Sequence, residues 1–269
     1  MDAKKMKIIF IVFFAASLII QTVTMIMVIT LKMPESQGPQ KPSDNLSSEQ
    51  VRKTPVFMYH TSSEEDPGAG DYTYLYVKPS EFEKQIAYLK KNGYTLCTFD
   101  DWDNLSDIEK PVFLTFDDGY AANYTEIFPI LKKYNAKITI FLVADLEKKD
   151  ITWDMVREMS NSGLVKFESH TLSHPKLDQI SSDDEKLTAE LRDSKLKIEQ
   201  ETGKTVRAIA YPHGIFDDAV KSKAAEYYKF GLRSYGGMNW TYIDNYEILR
   251  FPAERDMTIE EFAEMLASE

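Results

Sequence analysis

A parallel α/β sheet, open or closed into a barrel, is the fold class this 269-residue sequence predicts. Two observations carry the prediction. From Pro55 onward, short apolar runs alternate with amphipathic helical patterns over a single span of about 215 residues. The residues that close those runs are polar and chemically capable, and all four histidines of the chain lie there. In parallel α/β folds, ligands gather at the carboxyl ends of strands.

The segment before the alternating region reads differently. Lys4, Lys5 and Lys7 precede an uncharged stretch from Ile8 to Leu31, interrupted only by Ser17, Gln21, Thr22, Thr24 and Thr30. Its twenty-four residues, at about 1.5 Å each, span roughly 36 Å, enough for a hydrocarbon core of about 30 Å. A cleaved signal peptide has a shorter apolar region ending at a small-residue site, whereas Ala15-Ala16-Ser17 falls in the middle of this run. The expectation is therefore a cytoplasmic tail over 1–7 and a transmembrane signal anchor over 8–31, with the rest of the chain outside the cell. Residues 32–53, rich in Pro, Ser, Gln and charge, read as a flexible linker to one domain over 54–269.

Within the domain, Pro55 to Tyr59 reads as a buried strand, and Pro79 to Lys91 as an amphipathic helix stopped by Asn92-Gly93. Leu96 to Phe99 and Pro111 to Phe116 are strands, the latter apolar on both faces. A helix over Tyr124 to Tyr134 carries Pro129, which bends it. Lys137 to Val143 is strand, Trp153 to Asn161 helix, and Val165 to Glu168 strand. Ser182-Asp183-Asp184-Glu185 has the spacing of a capping box and opens a helix to about Glu201. Val206 to Tyr211, Phe230 to Ser234 and Glu247 to Phe251 are the last strands.

Bulk properties narrow the function. The formal net charge is −11, and the first 32 residues are net basic, so the domain is more acidic than the whole chain. An acidic surface argues against nucleic acid as a partner, because phosphate binding needs a basic face. Cys97, the single cysteine, lies in the apolar run Tyr94-Thr95-Leu96-Cys97 and reads as a small buried hydrophobe.

The strand ends carry the chemistry. The first strand closes on Tyr59-His60, and the third on Asp117-Asp118-Gly119-Tyr120. The fifth closes on Ser169-His170-Thr171-Leu172-Ser173-His174, and the sixth on Tyr211-Pro212-His213-Gly214. Two histidines four residues apart can face one ion if the chain turns between them, and a carboxylate supplies a third, anionic ligand. Three protein ligands and a water make a catalytic zinc arrangement, in which water becomes acidic near neutrality. A neighbouring carboxylate can then take the water's proton, and a histidine across the site can protonate a leaving amine. Thr98-Phe99-Asp100-Asp101 repeats the tetrapeptide Thr115-Phe116-Asp117-Asp118, but Trp102 follows it where Gly119 follows the second copy. Asp100 or Asp101 reads as the cap of a short helix; the second copy, with its freely bending glycine, reads as the ligand turn.

Taken together, these motifs resemble the polysaccharide deacetylases of the NodB homology type, carbohydrate esterase family 4. Thr115-Phe116-Asp117-Asp118-Gly119-Tyr120 is similar to the family's first motif, Ser169 to His174 to its second, and Tyr211-Pro212-His213-Gly214 to its third. The resemblance implies a distorted (β/α) barrel of seven or eight parallel strands. It implies Asp117 as base, and Asp118, His170 and His174 as ligands of a divalent metal, Zn2+ first with Co2+, Ni2+ or Mn2+ as alternatives. The family's usual C-terminal Leu-x-His is absent, since Ile248-Leu249-Arg250-Phe251 has no histidine. Met58-Tyr59-His60 and the segments after it resemble instead the circularly permuted subgroup that deacetylates poly-N-acetylglucosamine, which implies His60 as the acid. Arg250 stands in for the family's usual arginine beside the base, and His213 replaces an aromatic residue. Tyr120, Pro212 and the His213 backbone N–H are candidates for contact with substrate or oxyanion. The implied activity is removal of acetyl groups from N-acetylglucosamine units of a cell-surface or cell-wall polysaccharide. An O-acetyl esterase with the same machinery, or an inactive carbohydrate-binding domain of the same fold, is the rival.

Overall fold

Buried apolar runs without room for a polar face pair side by side and in parallel, because the connecting helices must cross back over the sheet. The computed structural model describes residues 53–65, 75–146, 150–239 and 244–268. The chain divides into two units, 1–44 and 45–269, and every described residue belongs to the second. The expected tail, anchor and almost all of the linker lie outside the described residues. Among the described residues no helix is long and apolar enough to cross a membrane.

In chain order the strands are β1 (Val56–Tyr59), a short side pair β2 (Thr61–Ser62) and β3 (Tyr76–Val77), then β4 (Thr95–Cys97), β5 (Pro111–Asp118), β6 (Ile138–Leu142), β7 (Val165–Ser169), β8 (Ala208–Ala210), β9 (Phe230–Leu232) and β10 (Phe251–Pro252). The main sheet has eight strands in the order β10-β1-β5-β6-β7-β8-β9, with β4 paired to the start of β5. Its ladders are parallel. The sheet curls into a half-barrel. Ile248 forms a parallel bridge with Leu232 of β9, while Phe251 and Pro252, just beyond, pair with β1.

Alternation along the strands sorts two cores. Phe57, Leu114, Phe116, Ile140, Phe167 and Ile209 join the large cluster that the helices cover. Val56, Phe113, Phe141, Ala208, Ala210 and Leu232 form a smaller cluster inside the curl. By the same parity Thr115 and Asp117 on β5, and Lys166 and Glu168 on β7, point into that interior.

Several boundaries moved for local physical reasons. The helix after β7 is capped by Asp183, not Ser182: the Asp183 carboxylate accepts from the Lys186 N–H at 3.1 Å, so the box is displaced by one residue. That helix continues to Thr202 through a π-helical turn at Ala189–Asp193. Pro129 is accommodated at the first turn of Phe128–Tyr134, after another π-helical turn at Asn123–Ile127. The strand expected over Glu247 to Phe251 is reduced to a bridge at Ile248 and the pair Phe251–Pro252, with the Leu249 N–H between them taken by a side chain. Leu249 N–H bonds to the Asn239 side-chain oxygen at 2.7 Å, and just before the span Tyr246 N–H bonds to Asp244. Asp101 precedes the 3-10 turn Trp102–Asp107, but its carboxylate turns back to Thr98 N–H at 2.9 Å instead of capping forward. Asp100 pairs with Lys166 at 2.8 Å.

Glu168 gives the interior a pH dependence. It is fully buried; one carboxylate oxygen accepts from Arg207 and Ala208 N–H, and the other has no hydrogen-bond partner. Lys166 stands 4.0 Å away, engaged with Asp100 and the Thr205 carbonyl. Burial pushes the Glu168 carboxyl up to about 8, against the pull of Lys166 and the two backbone N–H donors. The folded state therefore keeps a proton that the unfolded chain releases near its ordinary value of 4.5. Stability falls as pH rises from that value through about 8, by at most about 1.4 kcal/mol per pH unit. Urea unfolding of Glu168→Gln across this range is expected to lack that slope and to overtake the native chain at alkaline pH. Parallel pH curves for the two proteins would contradict the assignment.

Candidate active site

Two strand ends build the centre of the site. β5 ends on Asp117 and Asp118, and Gly119 turns the chain at φ +77°. A Cβ at position 119 would lie 2.3 Å from Leu142 Cδ1, so the turn after the carboxylates needs glycine. β7 runs into His170, and a tight turn brings His174 back beside it. Six non-glycine residues have positive φ among the described residues, and four of them are Asp118, Thr171, His174 and His213. Backbone strain is thus gathered at the site, where surrounding contacts must hold it.

Asp118, His170 and His174 each present one ligand atom, and these atoms lie within 4.8 Å of one another. The two imidazole Nε2 atoms are 3.1 Å apart, and Asp118 Oδ1 is 3.8 Å from His170 and 3.4 Å from His174. His170 Nδ1 is 2.8 Å from the Ala210 carbonyl oxygen, which can only accept, so Nδ1 carries the proton and the Nε2 lone pair faces the group. Two imidazoles and a carboxylate converging in this way fit a divalent ion of the zinc type. The Tyr120 hydroxyl hydrogen-bonds to Asp118.

Asp117 is set behind this group. Its two oxygens accept from the Arg250 guanidinium at 2.7 and 2.8 Å. Arg250 is itself fully buried and further held by the Arg233 carbonyl and Thr115 Oγ1. Burial pushes the Asp117 carboxyl upward, but Arg250, with His170 and His60, outweighs it and holds the group below the usual carboxylate range.

These residues open onto a cleft of about 590 Å³, lined also by His60, Tyr120, His213 and Tyr235. His60 follows β1, which lies between β10 and β5. Burial presses its imidazole below the ordinary histidine range, while Asp117 and Asp118 pull the other way. The His213 ring packs against His174 with centroids 4.7 Å apart. Pro212 is buried and starts the short turn Pro212–Gly214 that carries His213. Of the nine residues singled out in the sequence, seven line the cleft; Arg250 backs Asp117 and Pro212 supports His213.

Two supporting residues lie outside the sequence reading. Asn123 is fully buried; its Oδ1 accepts from Tyr120 N–H and its Nδ2 donates to the His60 carbonyl, joining the β1 and β5 ends. Glu190, on the helix after β7, grips the histidine turn. Only the short spacing between Tyr120 and Asn123 hints at either role.

A cluster able to hold a divalent ion, beside a carboxylate kept ionised at a parallel strand end, is equipment for hydrolysis. The comparisons agree with that class. A family model for polysaccharide deacetylase matches residues 104–230. A polysaccharide deacetylase of Bacillus cereus with a solved crystal structure is 34% identical, with a TM-score of 0.75, over 80% of this chain and 69% of that one. YxkH of Bacillus subtilis is 30% identical over 220 residues, covering 77% of this chain and 75% of the relative. The poly-beta-1,6-N-acetyl-D-glucosamine N-deacetylase of Staphylococcus epidermidis is 26% identical over 230 residues, covering 74% and 78%. The chain belongs to the polysaccharide deacetylases of carbohydrate esterase family 4, hydrolases that act on amide bonds.

Proposed function

We propose that the protein is a metal-dependent N-deacetylase acting on N-acetylglucosamine units of a cell-surface or cell-wall polysaccharide. The observation that carries this is the convergence of Asp118, His170 and His174 beside Asp117 and His60 in one cleft. The relative named for poly-beta-1,6-N-acetyl-D-glucosamine supports the choice of sugar.

In this reading Asp118, His170 and His174 hold the ion, with Zn2+ first and Co2+, Ni2+ or Mn2+ as alternatives. When bound, the ion supplies Lewis-acid polarisation of a carbonyl oxygen and acidifies water. Asp117 takes the proton of the attacking water, and Arg250 keeps it ionised and fixed in orientation. His60 protonates the departing glucosamine nitrogen. Tyr120 orients Asp118 through its hydroxyl, and the His213 backbone N–H is the candidate donor to the developing oxyanion. The domain occupies 54–269 and hangs from a membrane anchor at 8–31 by the linker, outside the cell and close to nascent or wall-proximal glycan.

Acetate release from a panel of purified glycans is the test, run with enzyme stripped by chelator and then reloaded. The expected result is release from N-acetylglucosamine polymers that disappears on stripping and returns with Zn2+. Undiminished release after complete stripping would sink the metal dependence. Release from O-acetylated polymers alone would sink the amide substrate.

A further inference from the structure

The turn that presents His174 is held from a neighbouring helix. Its four consecutive backbone N–H groups each have a partner. Thr171 N–H bonds to Ser169 Oγ at 3.1 Å and His174 N–H to Thr171 Oγ1 at 3.0 Å, both within the motif. The middle two depend on Glu190: Leu172 N–H and Ser173 N–H reach its Oε2 at 3.0 and 2.9 Å. Ser173 Oγ donates to Glu190 Oε1 at 2.6 Å, and Leu172 N–H also reaches the Glu190 carbonyl at 3.2 Å. Thr171 and His174 adopt φ of +67° and +65°, so the turn needs contacts from outside itself to keep its shape.

Glu190 sits in the π-helical turn Ala189–Asp193. Such single widened turns inside α-helices are frequent at functional sites. Here the turn contains the carboxylate that receives the histidine loop.

We propose that Glu190 is a positioning residue for the metal centre, fixing the Thr171–His174 turn so that His174 Nε2 meets His170 Nε2 and Asp118. The inference rests on the metal reading above. It differs from a purely structural role in one measurable respect. If Glu190 only stabilised a surface turn, its loss would lower the unfolding temperature and leave metal affinity alone. If it sets the ligand geometry, affinity changes.

Co2+ titration of the full-length protein, followed by visible absorption and chelator competition, separates the cases. Native protein is expected to bind one equivalent. Glu190→Ala is expected to raise the Co2+ Kd about 10–100-fold and to alter the absorption band, the loss usual for partners that orient metal ligands. Glu190→Gln keeps an acceptor for both N–H groups, so its Kd is expected within about threefold of native. Glu190→Asp keeps the charge and withdraws it by one methylene; it is expected to fold and to weaken binding several-fold, so it stands in if the alanine variant does not fold. Native Kd in the alanine or aspartate variant overturns the role of Glu190 alone. Failure of the native protein to take up Co2+ overturns the metal reading and this inference with it.

Discussion

Arg250→Met is expected to destabilise the protein by about 3–5 kcal/mol, the usual cost of removing one member of a buried ion pair. Asp117 and Arg250 meet through two hydrogen bonds in the interior of the curl, and neither side chain reaches solvent to any useful extent. Without the guanidinium, only His170 and His60 oppose burial at the Asp117 carboxyl, and the group is expected to rise and hold its proton more tightly. The pH dependence of stability should then reverse. In the native chain the depressed carboxyl adds stability that is present above its ordinary value of 3.8 and lost as pH falls below it. In Arg250→Met the raised carboxyl adds stability at low pH that is lost as pH rises. A protonated Asp117 also cannot act as base, so turnover near neutrality is expected to fall at least about 100-fold. Asp117→Asn should lose similar activity, and the double variant should be less destabilised than the two single losses together imply. Urea unfolding and acetate release read both effects. A stability loss under about 1 kcal/mol with native turnover would contradict the pairing's role.

How much of this was legible in the sequence depended on how local each cause is. Pro79–Lys91 and Trp153–Asn161 were bounded correctly because period and stop signals lie within the helices themselves. The strand-end histidines were legible as a group because alternating β and α elements bring the carboxyl ends of strands to one edge. Gly119 distinguished the ligand turn from the Asp100-Asp101 copy, and a Cβ there would strike Leu142. The bidentate grip of Arg250 on Asp117 joins residues 133 apart and was legible only through the family resemblance, while Glu190, which reaches the histidine turn from a helix 17 residues beyond Ser173, was not legible at all. Such contacts are fixed by the curl of the sheet and by a π-helical turn, neither of which leaves a periodic trace. The displaced cap at Asp183 has a different origin. Adjacent Ser182 and Asp183 are both capable caps, so residue type alone cannot choose between them.

His60→Ala is expected to slow amide hydrolysis about 10²- to 10⁴-fold and ester hydrolysis much less. An amine is a poor leaving group unless it is protonated as it departs, whereas an alkoxide from an ester can leave with less help. His60 lines the same cleft as Asp117 and the three ligand residues, from the neighbouring strand end, so it can meet a leaving nitrogen while Asp117 meets water. Burial presses its imidazole below the ordinary range, despite the opposing pull of Asp117 and Asp118. It is thus a stronger acid than free imidazole, and less of it is protonated at neutral pH. The alkaline limb of kcat/KM for the amide should therefore begin on the acid side of histidine's ordinary value, and it should vanish in His60→Ala. An alkaline limb that persists in the variant would assign the proton to another group. Equal losses on amide and ester would mean that His60 acts before the leaving group departs, as a wall of the cleft or a contact to the sugar. The amide-to-ester ratio distinguishes these roles because only proton donation to the leaving atom depends on what that atom is.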